Sequence, residues 1–434
     1  MPAAFPNRAE IEAGQLREIR SLFGRLIRTN SFYSRKLSAA GVSPDIESLD
    51  SFRRTIPFTT KQEIVDDQKN RPPFGTNLTF PIGRYTRFHQ TSGTTGLPIR
   101  WLDTPESWNG MIDCWVEVLT AANVSIADRI FFAFSFGPFI GFWLAFEAAQ
   151  RLGCLCIPGG GLTSTARLRL LIDNGATMLC CTPTYAAHLA EVAARENIDL
   201  RQSCVKTILV AGEGGGSVPQ ARARLEQSWN NARVFDHHGM TEVGPVTFEC
   251  PERPGVLHVM ESHHHAEVID PATTKPVEDG QAGELVLTTL RRTGSPLLRY
   301  RTGDLVRFGR QGNDSGKSCA CGRNTRTLEG GILGRVDDMI VVRGVNVFPS
   351  AVEDLILAHG GVAEYQVTVS QANSMTELSM RLEPAAGCAD TEDLAKRLEK
   401  AFQDTFALRV SVTTVPAGTL PRFEMKAKRW VKPG

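Results

Sequence analysis

Short apolar runs alternate with amphipathic segments between residues 130 and 235, and this alternation constrains the fold more than any other feature of the sequence. The runs have the length and composition of buried strands. They lie at residues 130–134, 154–157, 176–181 and 205–212. The amphipathic segments, at residues 168–174, 185–196 and 219–229, have the length and period of crossover helices. This order of elements predicts a parallel α/β sheet that binds ligands at the carboxyl ends of its strands.

The pattern changes twice further along the chain. After residue 248, alternating strands such as HAEVID and GELVLTTL predict an antiparallel β-rich subdomain. A small α+β module is predicted from Asp337 onwards. Its elements are helices at 351–358 and 391–406 and strands at 365–370, 378–382 and 410–415. Since 434 residues exceed what one hydrophobic core organises, we expect a large N-terminal domain at 1–336 and a small C-terminal domain at 337–434.

One uncharged stretch, IFFAFSFGPFIGFWLAF at residues 130–146, approaches the length that spans a membrane. Gly137, Pro138 and Gly141 interrupt it, and a strand, a turn and a buried helix account for the same residues. Lysine and arginine (48) balance aspartate and glutamate (47), which removes the electrostatic case for nucleic acid. The ten cysteines lack a disulfide-framework spacing, and the N-terminus lacks an apolar leader segment. We therefore expect a cytoplasmic protein with no membrane or nucleic-acid partner.

The segment TSGTTGLP at residues 91–98 could cradle phosphate, because it supplies backbone amides and hydroxyl donors. It is not a Walker A loop, since no lysine follows Gly96. Taken alone, the segment is also typical of an ordinary surface turn.

Four later motifs decide between these interpretations. They are HHGMTEVG at 237–244, YRTGDL at 300–305, GRVDDMIVVRGVNVFPSAVED at 334–354 and PRFEMKAKRWV at 421–431. In this order the chain resembles the adenylate-forming superfamily of acyl-coenzyme A synthetases, adenylation domains and luciferases, and within it the phenylacetate-coenzyme A ligases. The resemblance implies ATP, Mg²⁺ and coenzyme A as cofactors, a carboxylic acid activated as acyl-AMP, and a C-terminal domain that is mobile. A homodimer is left open.

The resemblance also implies roles for particular residues. Ser92, Gly93, Thr94, Thr95 and Gly96 would wrap the β and γ phosphates. Thr241 would approach the α-phosphate, and Glu242 would bind Mg²⁺, which prefers oxygen ligands. The remaining ATP-binding residues would be Glu213, Gly214, Asp236, His238, Gly239, Met240, Asp304 and Arg335. Among these, His238 stands where tyrosine is usual, so it offers a purine less stacking area, and Asp304 would accept the ribose hydroxyls. For residues 236–242, the alternative is a polar turn before a strand.

The resemblance also assigns roles to residues of the C-terminal domain. Lys426 lies at the superfamily's catalytic lysine position, with Lys428 as second choice and a solvated basic tail as the alternative. Asp337 would be the hinge, and Arg343 and Gly344 would lie on the coenzyme A side. The loop proline is followed by Ile99 where lysine is frequent, and we assign no charge-neutralising role to Arg100.

The run FSFGPFIGF at residues 134–142 matches the segment that lines the acyl pocket of phenylacetate ligases. The expected pocket residues are Phe134, Phe136, Phe139 and Gly141. Phe134 and Phe136 replace tyrosines of the family pattern, which favours an apolar aryl or arylacetic acid. The alternative is that these side chains are ordinary core aromatics.

Three thiols and an imidazole, Cys250, His258, Cys319 and Cys321, form a tetrahedral zinc set. Sequence alone makes buried free cysteines the default, because the two halves of the set lie about sixty residues apart. The resemblance implies a structural zinc ion. His263, His264 and His265 alternate faces on a predicted strand and cannot converge on one ion.

There are two alternative functions, and the first of them shares all of these motifs. An adenylating enzyme could pass its acyl group to an acceptor other than coenzyme A. A nucleotide-binding regulatory protein is disfavoured, because Glu242, Asp304 and Lys426 are all present.

Overall fold

The computed structural model describes residues 5–43, 45–91, 98–310, 318–338, 340–343, 345–372, 375–388, 390–423 and 427–431. The N-terminal part is helical and leads into a two-stranded antiparallel ribbon. Its helices are α1 (Arg8–Thr29), α2 (Ser31–Ala39), α3 (Leu49–Thr55) and α4 (Lys61–Asn70), and the ribbon is β1 (Arg87–Gln90) and β2 (Arg100–Asp103). Asn7 begins α1 in a capping box with Glu10, which satisfies amides that have no partner inside the helix.

The predicted parallel sheet forms the centre of the large domain, and it has five strands, one more than the four apolar runs. Its strands are β3 (Arg129–Phe132), β4 (Leu155–Pro158), β5 (Met178–Cys181), β6 (Thr207–Ala211) and β7 (Arg233–His237). The spatial order is β4-β3-β5-β6-β7, so the chain crosses from one side of β3 to the other. Ligands in such sheets bind at this kind of crossing, beyond the carboxyl ends of the strands.

Helices cover both faces of this sheet, because alternate strand residues point to opposite sides. The helices are α5 (Pro105–Ala121), α6 (Ile140–Arg151), α7 (Ser164–Asp173), α8 (Pro183–Arg195) and α9 (Pro219–Ser228). Phe132 and Leu209 belong to one buried core, while the neighbouring Phe131 and Ile208 belong to the other. The three predicted crossover helices correspond to α7, α8 and α9.

The uncharged segment at residues 130–146 divides into β3, a turn and the start of α6. Among the residues that the structure describes, none of the helices has the length and apolar character needed to cross a membrane.

The following residues form short antiparallel sheets, in agreement with the predicted β-rich subdomain. Two strands, β8 (Gly239–Met240) and β9 (Gly244–Pro245), pair directly after the parallel sheet. A three-stranded sheet contains β10 (Thr247–Cys250), β11 (Arg253–Val259) and β15 (Thr327–Glu329). A four-stranded sheet contains β12 (His264–Ile269), β13 (Ala282–Thr289), β14 (Tyr300–Arg307) and β16 (Gly334–Arg335).

The C-terminal part has a hydrophobic core of its own, which includes Val347, Leu382 and Phe402. Its elements are β17 (Ile340–Val342), β18 (Val345–Val347), α10 (Pro349–His359), β19 (Val362–Ala372), β20 (Met375–Pro384), α11 (Thr391–Phe406), β21 (Ser411–Thr414) and β22 (Trp430–Val431). The strand order β21-β20-β19-β22 joins antiparallel and parallel pairs. This separate core supports our proposal of two domains, at residues 1–336 and 337–434.

Candidate active site

Four charged or polar side chains meet beside the carboxyl end of β7. Nε2 of His238 lies 3.3 Å from Oδ2 of Asp304, and Nη1 of Arg335 lies 2.8 Å from Oδ1 of the same carboxylate. Arg335 also pairs with Asp337 at 2.8 Å. Burial opposes the charge of Arg335, but pairing with Asp337 and Asp304 raises its pKa overall. The register of the four-stranded sheet explains the meeting, because Asp304 of β14 lies opposite Arg335 of β16.

Two buried polar atoms in this cluster are available to a ligand. Oδ2 of Asp304 and Nε2 of His238 are both buried and face each other at 3.3 Å, but neither atom makes a hydrogen bond among the described residues. A buried polar group without a hydrogen bond is costly. A ligand that carries hydroxyl groups would satisfy Asp304, so the residues present fit the ribose of a nucleotide.

The buried carboxylate of Asp236 already has hydrogen-bond partners within the protein. Its Oδ2 accepts a hydrogen bond from Ser217 at 2.5 Å, and its Oδ1 accepts one from the amide of His237 at 2.9 Å. Gly216 permits this packing, since a Cβ there would lie 2.5 Å from Cγ of Asp236. Burial raises the pKa of Asp236, against the lowering effects of Ser217 and Arg222. The described contacts of this carboxylate hold the 212–217 loop against β7.

Glu242 is buried and lies near a lysine that the sequence analysis did not single out. Nζ of Lys61 is 3.7 Å from Oε1 of Glu242. Tyr300 adjoins the same carboxylate. Burial and the negative charge of Glu242 together raise the pKa of the Tyr300 hydroxyl. Lys61 is the first residue of α4 and belongs to none of the recognised motifs. No local signal could have found it, because only the folded chain places α4 beside residue 242.

Thr241 is held through its backbone. Its carbonyl accepts a hydrogen bond from Arg292 at 2.7 Å, and Arg292 forms two 2.7 Å bonds to the fully buried Asp103. The short strand β8, with Gly239 and Met240, leads into this residue. A buried ion pair therefore fixes the backbone of the segment that carries Thr241 and Glu242.

The predicted phosphate loop, Ser92, Gly93, Thr94, Thr95 and Gly96, lies outside the described residues, as do Gly344 and Lys426. Both ends of the loop are described. The amide of Thr91 donates to the Ile99 carbonyl at 3.0 Å, and the Ile99 amide donates to Oγ1 of Thr91 at 3.0 Å. The amide of Gln90 donates to the carbonyl of Pro138 at 2.9 Å. The structure thus brings the start of this loop next to the predicted acyl-pocket segment.

The aromatic side chains of that segment pack against one another in a layer that is partly exposed. Phe134 stacks on Phe142 with ring centroids 4.1 Å apart, and Phe136 meets Trp143 edge-on at 5.0 Å. Phe134, Phe136 and Phe139 are half-buried. A Cβ added to Gly141 would meet no described atom within 4 Å. The layer packs on the core with one side and leaves apolar surface on the other.

Glu213 and Gly214 lie in one loop of the large domain, and Arg343 lies in the C-terminal part. The Glu213 carboxylate accepts hydrogen bonds from two backbone amides, those of Thr184 and Ala427. Gly214 is exposed in the same loop. Arg343 forms an ion pair with Glu377 on the C-terminal sheet.

The predicted metal ligands converge. One ligand atom from each of Cys250, His258, Cys319 and Cys321 lies within 4.8 Å of every other. Nδ1 of His258 is 2.8 Å from Oγ1 of Thr325, which leaves Nε2 facing Sγ of Cys321 at 3.3 Å. Burial lowers the pKa of His258 to about 4, so the ring is neutral near pH 7 and its Nε2 can coordinate a metal. The residues present fit a tetrahedral metal ion.

The neighbouring histidine run does not converge. Nε2 of His264 lies 2.7 Å from the Pro245 carbonyl, whereas Nδ1 of His265 lies 2.9 Å from Oε1 of Gln15. These partners lie on different elements, as expected from alternation along a strand.

Comparisons with known proteins identify the family of the chain. The model of the AMP-binding enzyme family matches residues 89–290, and that of the AMP-binding enzyme C-terminal domain matches residues 344–432. The chain is 31% identical to a phenylacetate-coenzyme A ligase of Escherichia coli over 97% of this chain and 94% of the relative. It is 30% identical to that of Thermus thermophilus over 96% of this chain and 95% of the relative.

Two solved structures of 2-hydroxyisobutyryl-CoA ligase are also similar. The structure in the postadenylation state, in complex with R3-HIB-AMP, has a TM-score of 0.91 at 27% identity and covers 99% of this chain and 91% of that chain. The structure in the thioesterification state, with 2-HIB-AMP and CoA, has a TM-score of 0.74 at 28% identity with the same coverages.

Proposed function

Because this chain belongs to the phenylacetate-coenzyme A ligase family of AMP-forming acyl-coenzyme A ligases, we propose that it activates an aryl or arylacetic acid and transfers the acyl group to coenzyme A. In the first step a carboxylate oxygen bonds to the α-phosphorus of ATP, and pyrophosphate leaves. In the second step the thiol sulfur of coenzyme A bonds to the acyl carbon, loses its proton, and AMP leaves.

The main support for this proposal is that the side chains of His238 and Arg335 both contact the carboxylate of Asp304, beside the carboxyl end of β7. We propose that the buried carboxylate of Asp304 accepts the ribose hydroxyls while His238 stacks on the adenine. In this proposal, Thr241 approaches the α-phosphate and the phosphate loop holds the outer phosphates. Glu242 would hold Mg²⁺, which supplies positive charge to the phosphates when bound.

Lys61 supplies a positive charge near Glu242, whereas the phosphate loop at residues 92–96 contains no lysine or arginine. Since its ammonium lies 3.7 Å from Glu242, we expect it to contact ATP phosphate as well. Replacing Lys61 with methionine should raise the KM for ATP about tenfold, the typical effect of losing one charge-assisted hydrogen bond. The assay is ATP-dependent pyrophosphate exchange at varied ATP. Lys69→Met, on the exposed last turn of the same helix, is the matched control and should leave the KM unchanged. An unchanged KM in Lys61→Met would exclude the contact.

The half-buried aromatic layer supports an aryl substrate, because flat rings pack edge-to-face or offset against phenylalanine. The name of the similar solved structures favours a second candidate, a small aliphatic hydroxy acid. The layer of Phe134, Phe136 and Phe139 supplies no hydroxyl donor, and so argues for the aryl class.

Acid-dependent pyrophosphate exchange tests the substrate class. We expect benzoate or phenylacetate to exceed acetate about ten- to a hundredfold in kcat/KM, because burying a phenylalanine-sized group contributes roughly 1.5–3 kcal/mol. The panel includes 2-hydroxyisobutyrate as the competing class. A preference for acetate or for 2-hydroxyisobutyrate would rule out the aromatic pocket. Phe139→Ala should reduce the aryl preference without affecting exchange with acetate.

Measuring AMP release with and without coenzyme A distinguishes a coenzyme A ligase from the two alternative functions. A ligase releases AMP only when coenzyme A is added, whereas an enzyme that serves another acceptor retains acyl-AMP. A regulatory nucleotide-binding protein would show neither exchange nor release.

We also propose that Cys250, His258, Cys319 and Cys321 hold a structural zinc ion. All four tetrahedral positions would be filled by protein atoms, so no position is left for substrate or water. Such an ion would join β10 and β11 to the segment at residues 318–325.

A further inference from the structure

One carboxylate connects the large domain to the C-terminal segment. Oε1 of Glu213 accepts a hydrogen bond from the Thr184 amide at 2.8 Å, in the first turn of α8. Oε2 of the same side chain accepts a hydrogen bond from the Ala427 amide at 3.1 Å. Ala427 directly follows Lys426 in the chain. Glu213 therefore fixes the backbone beside the lysine that we propose as catalytic.

Other described contacts also join these two parts, including the hydrogen bond that Ser350 donates to the Leu333 carbonyl, and two of them involve residues of α8 and α9. Nε of Arg422 lies 3.4 Å from Glu191, and both side chains are substantially exposed. Exposed ion pairs contribute little. Arg224 donates to the Val362 carbonyl at 3.1 Å. The carboxylate of Glu213 differs from both, because the positive end of α8 holds one of its oxygens and leaves the other aimed at Ala427.

The arrangement in which this contact forms resembles one state of the related ligase. The whole chain is more similar to the postadenylation-state structure of 2-hydroxyisobutyryl-CoA ligase than to its thioesterification-state structure. A carboxylate anchored on α8 cannot follow a C-terminal domain that rotates. The bond to Ala427 must therefore break if the domain moves to a second position.

We propose that Glu213 is a positioning residue that holds the segment of Lys426 against the large domain during adenylation and releases it before thioester formation. This inference rests on the proposed function. It differs from the nucleotide contact that the family resemblance implies for Glu213, since backbone amides already engage both carboxylate oxygens.

Glu213→Gln tests the proposal, because an amide side chain presents one oxygen and cannot accept from both donors. We expect kcat for acid-dependent pyrophosphate exchange to fall about ten- to a hundredfold, as for loss of a charge-assisted hydrogen bond. The KM for ATP should stay unchanged. Thioester formation from supplied synthetic phenylacetyl-AMP and coenzyme A should also stay unchanged. Glu213→Asp retains the charge but is one methylene shorter, so it should show the same pattern.

Glu191→Gln is the matched control, since it removes a carboxylate that faces the C-terminal segment at an exposed position. It should change either half-reaction less than about twofold. A higher KM for ATP with unchanged kcat in Glu213→Gln would assign the residue to nucleotide binding and overturn the proposal. Equal losses in both half-reactions, or full activity in Glu213→Asp, would also overturn it. Absence of exchange by the wild-type protein with every acid would instead overturn the proposed function.

Discussion

Replacing Lys426 with alanine is expected to slow adenylation about a hundredfold or more, the effect typical of removing one group that stabilises transition-state charge. The α-phosphate gathers negative charge as the carboxylate attacks, and a lysine in a water-excluded site neutralises it. The amide of the next residue, Ala427, is bonded to Glu213 at the edge of the large domain. That contact supports the delivery of Lys426 to the nucleotide side. Acid-dependent pyrophosphate exchange measures the loss.

Thioester formation from supplied acyl-AMP should remain nearly intact in Lys426→Ala, because no phosphoryl transfer occurs in that step. Lys428→Ala is the matched control and should spare exchange. Asp337→Pro, or a bulky residue at Gly344, should show the reverse pattern and reduce coenzyme A transfer more than exchange. If Lys426→Ala depressed both half-reactions equally, or neither, the role of this lysine and the use of two domain positions would have to be abandoned.

Protein prepared without added metal is expected to contain about one zinc ion per chain, and Cys319→Ser should lower both the zinc content and the melting temperature. The four ligand atoms already lie within 4.8 Å of one another. Loss of one thiolate leaves a partly filled metal site, so we expect a stability loss of roughly 3 kcal/mol or more and a shift of about 5–10 °C. Elemental analysis and thermal unfolding measure the two effects.

Cys204→Ser is the control for this experiment, because Cys204 is exposed and lies outside the metal set. It should leave zinc content and melting temperature unchanged. Metal-free wild-type protein with undiminished stability would contradict the structural zinc proposal. Exchange activity should persist in Cys319→Ser at temperatures where the variant remains folded, since the proposed role of the metal is structural.

The layers of the fold could be predicted from local patterns in the sequence. Period-two and period-3.6 patterns report which side of a strand or helix is buried, and that information is local. The parallel sheet, its three predicted crossover helices and the antiparallel strands after residue 248 all follow from such patterns. The ends of one strand differ from the prediction, because β19 extends from Val362 to Ala372 and the predicted strand covers residues 365–370. Backbone pairing with β20 continues there where the apolar pattern of the sequence weakens.

The sequence also determined the candidate residues of the site, through motifs whose order along the chain indicates the family. The motifs do not determine whether the side chains contact one another in the folded chain. Asp304 and Arg335 meet because β14 and β16 pair in one particular register. The four metal ligands meet because β10 and β11 form a hairpin beside the segment at residues 318–325.

The contacts of individual side chains depend on the three-dimensional fold. It placed Lys61 beside Glu242, turned Asp236 towards Ser217, and joined Glu213 to Ala427. Lys61 and Glu242, like Glu213 and Ala427, lie far apart in sequence, and no local period or cap links them. Their proximity depends on how the sheets and helices close around the cores, and a backbone amide such as that of Ala427 carries no signal in the residue type. For that reason the sequence predicted the fold and proposed residues for the site, whereas the contacts of Lys61, Asp236 and Glu213 became visible only in the folded chain.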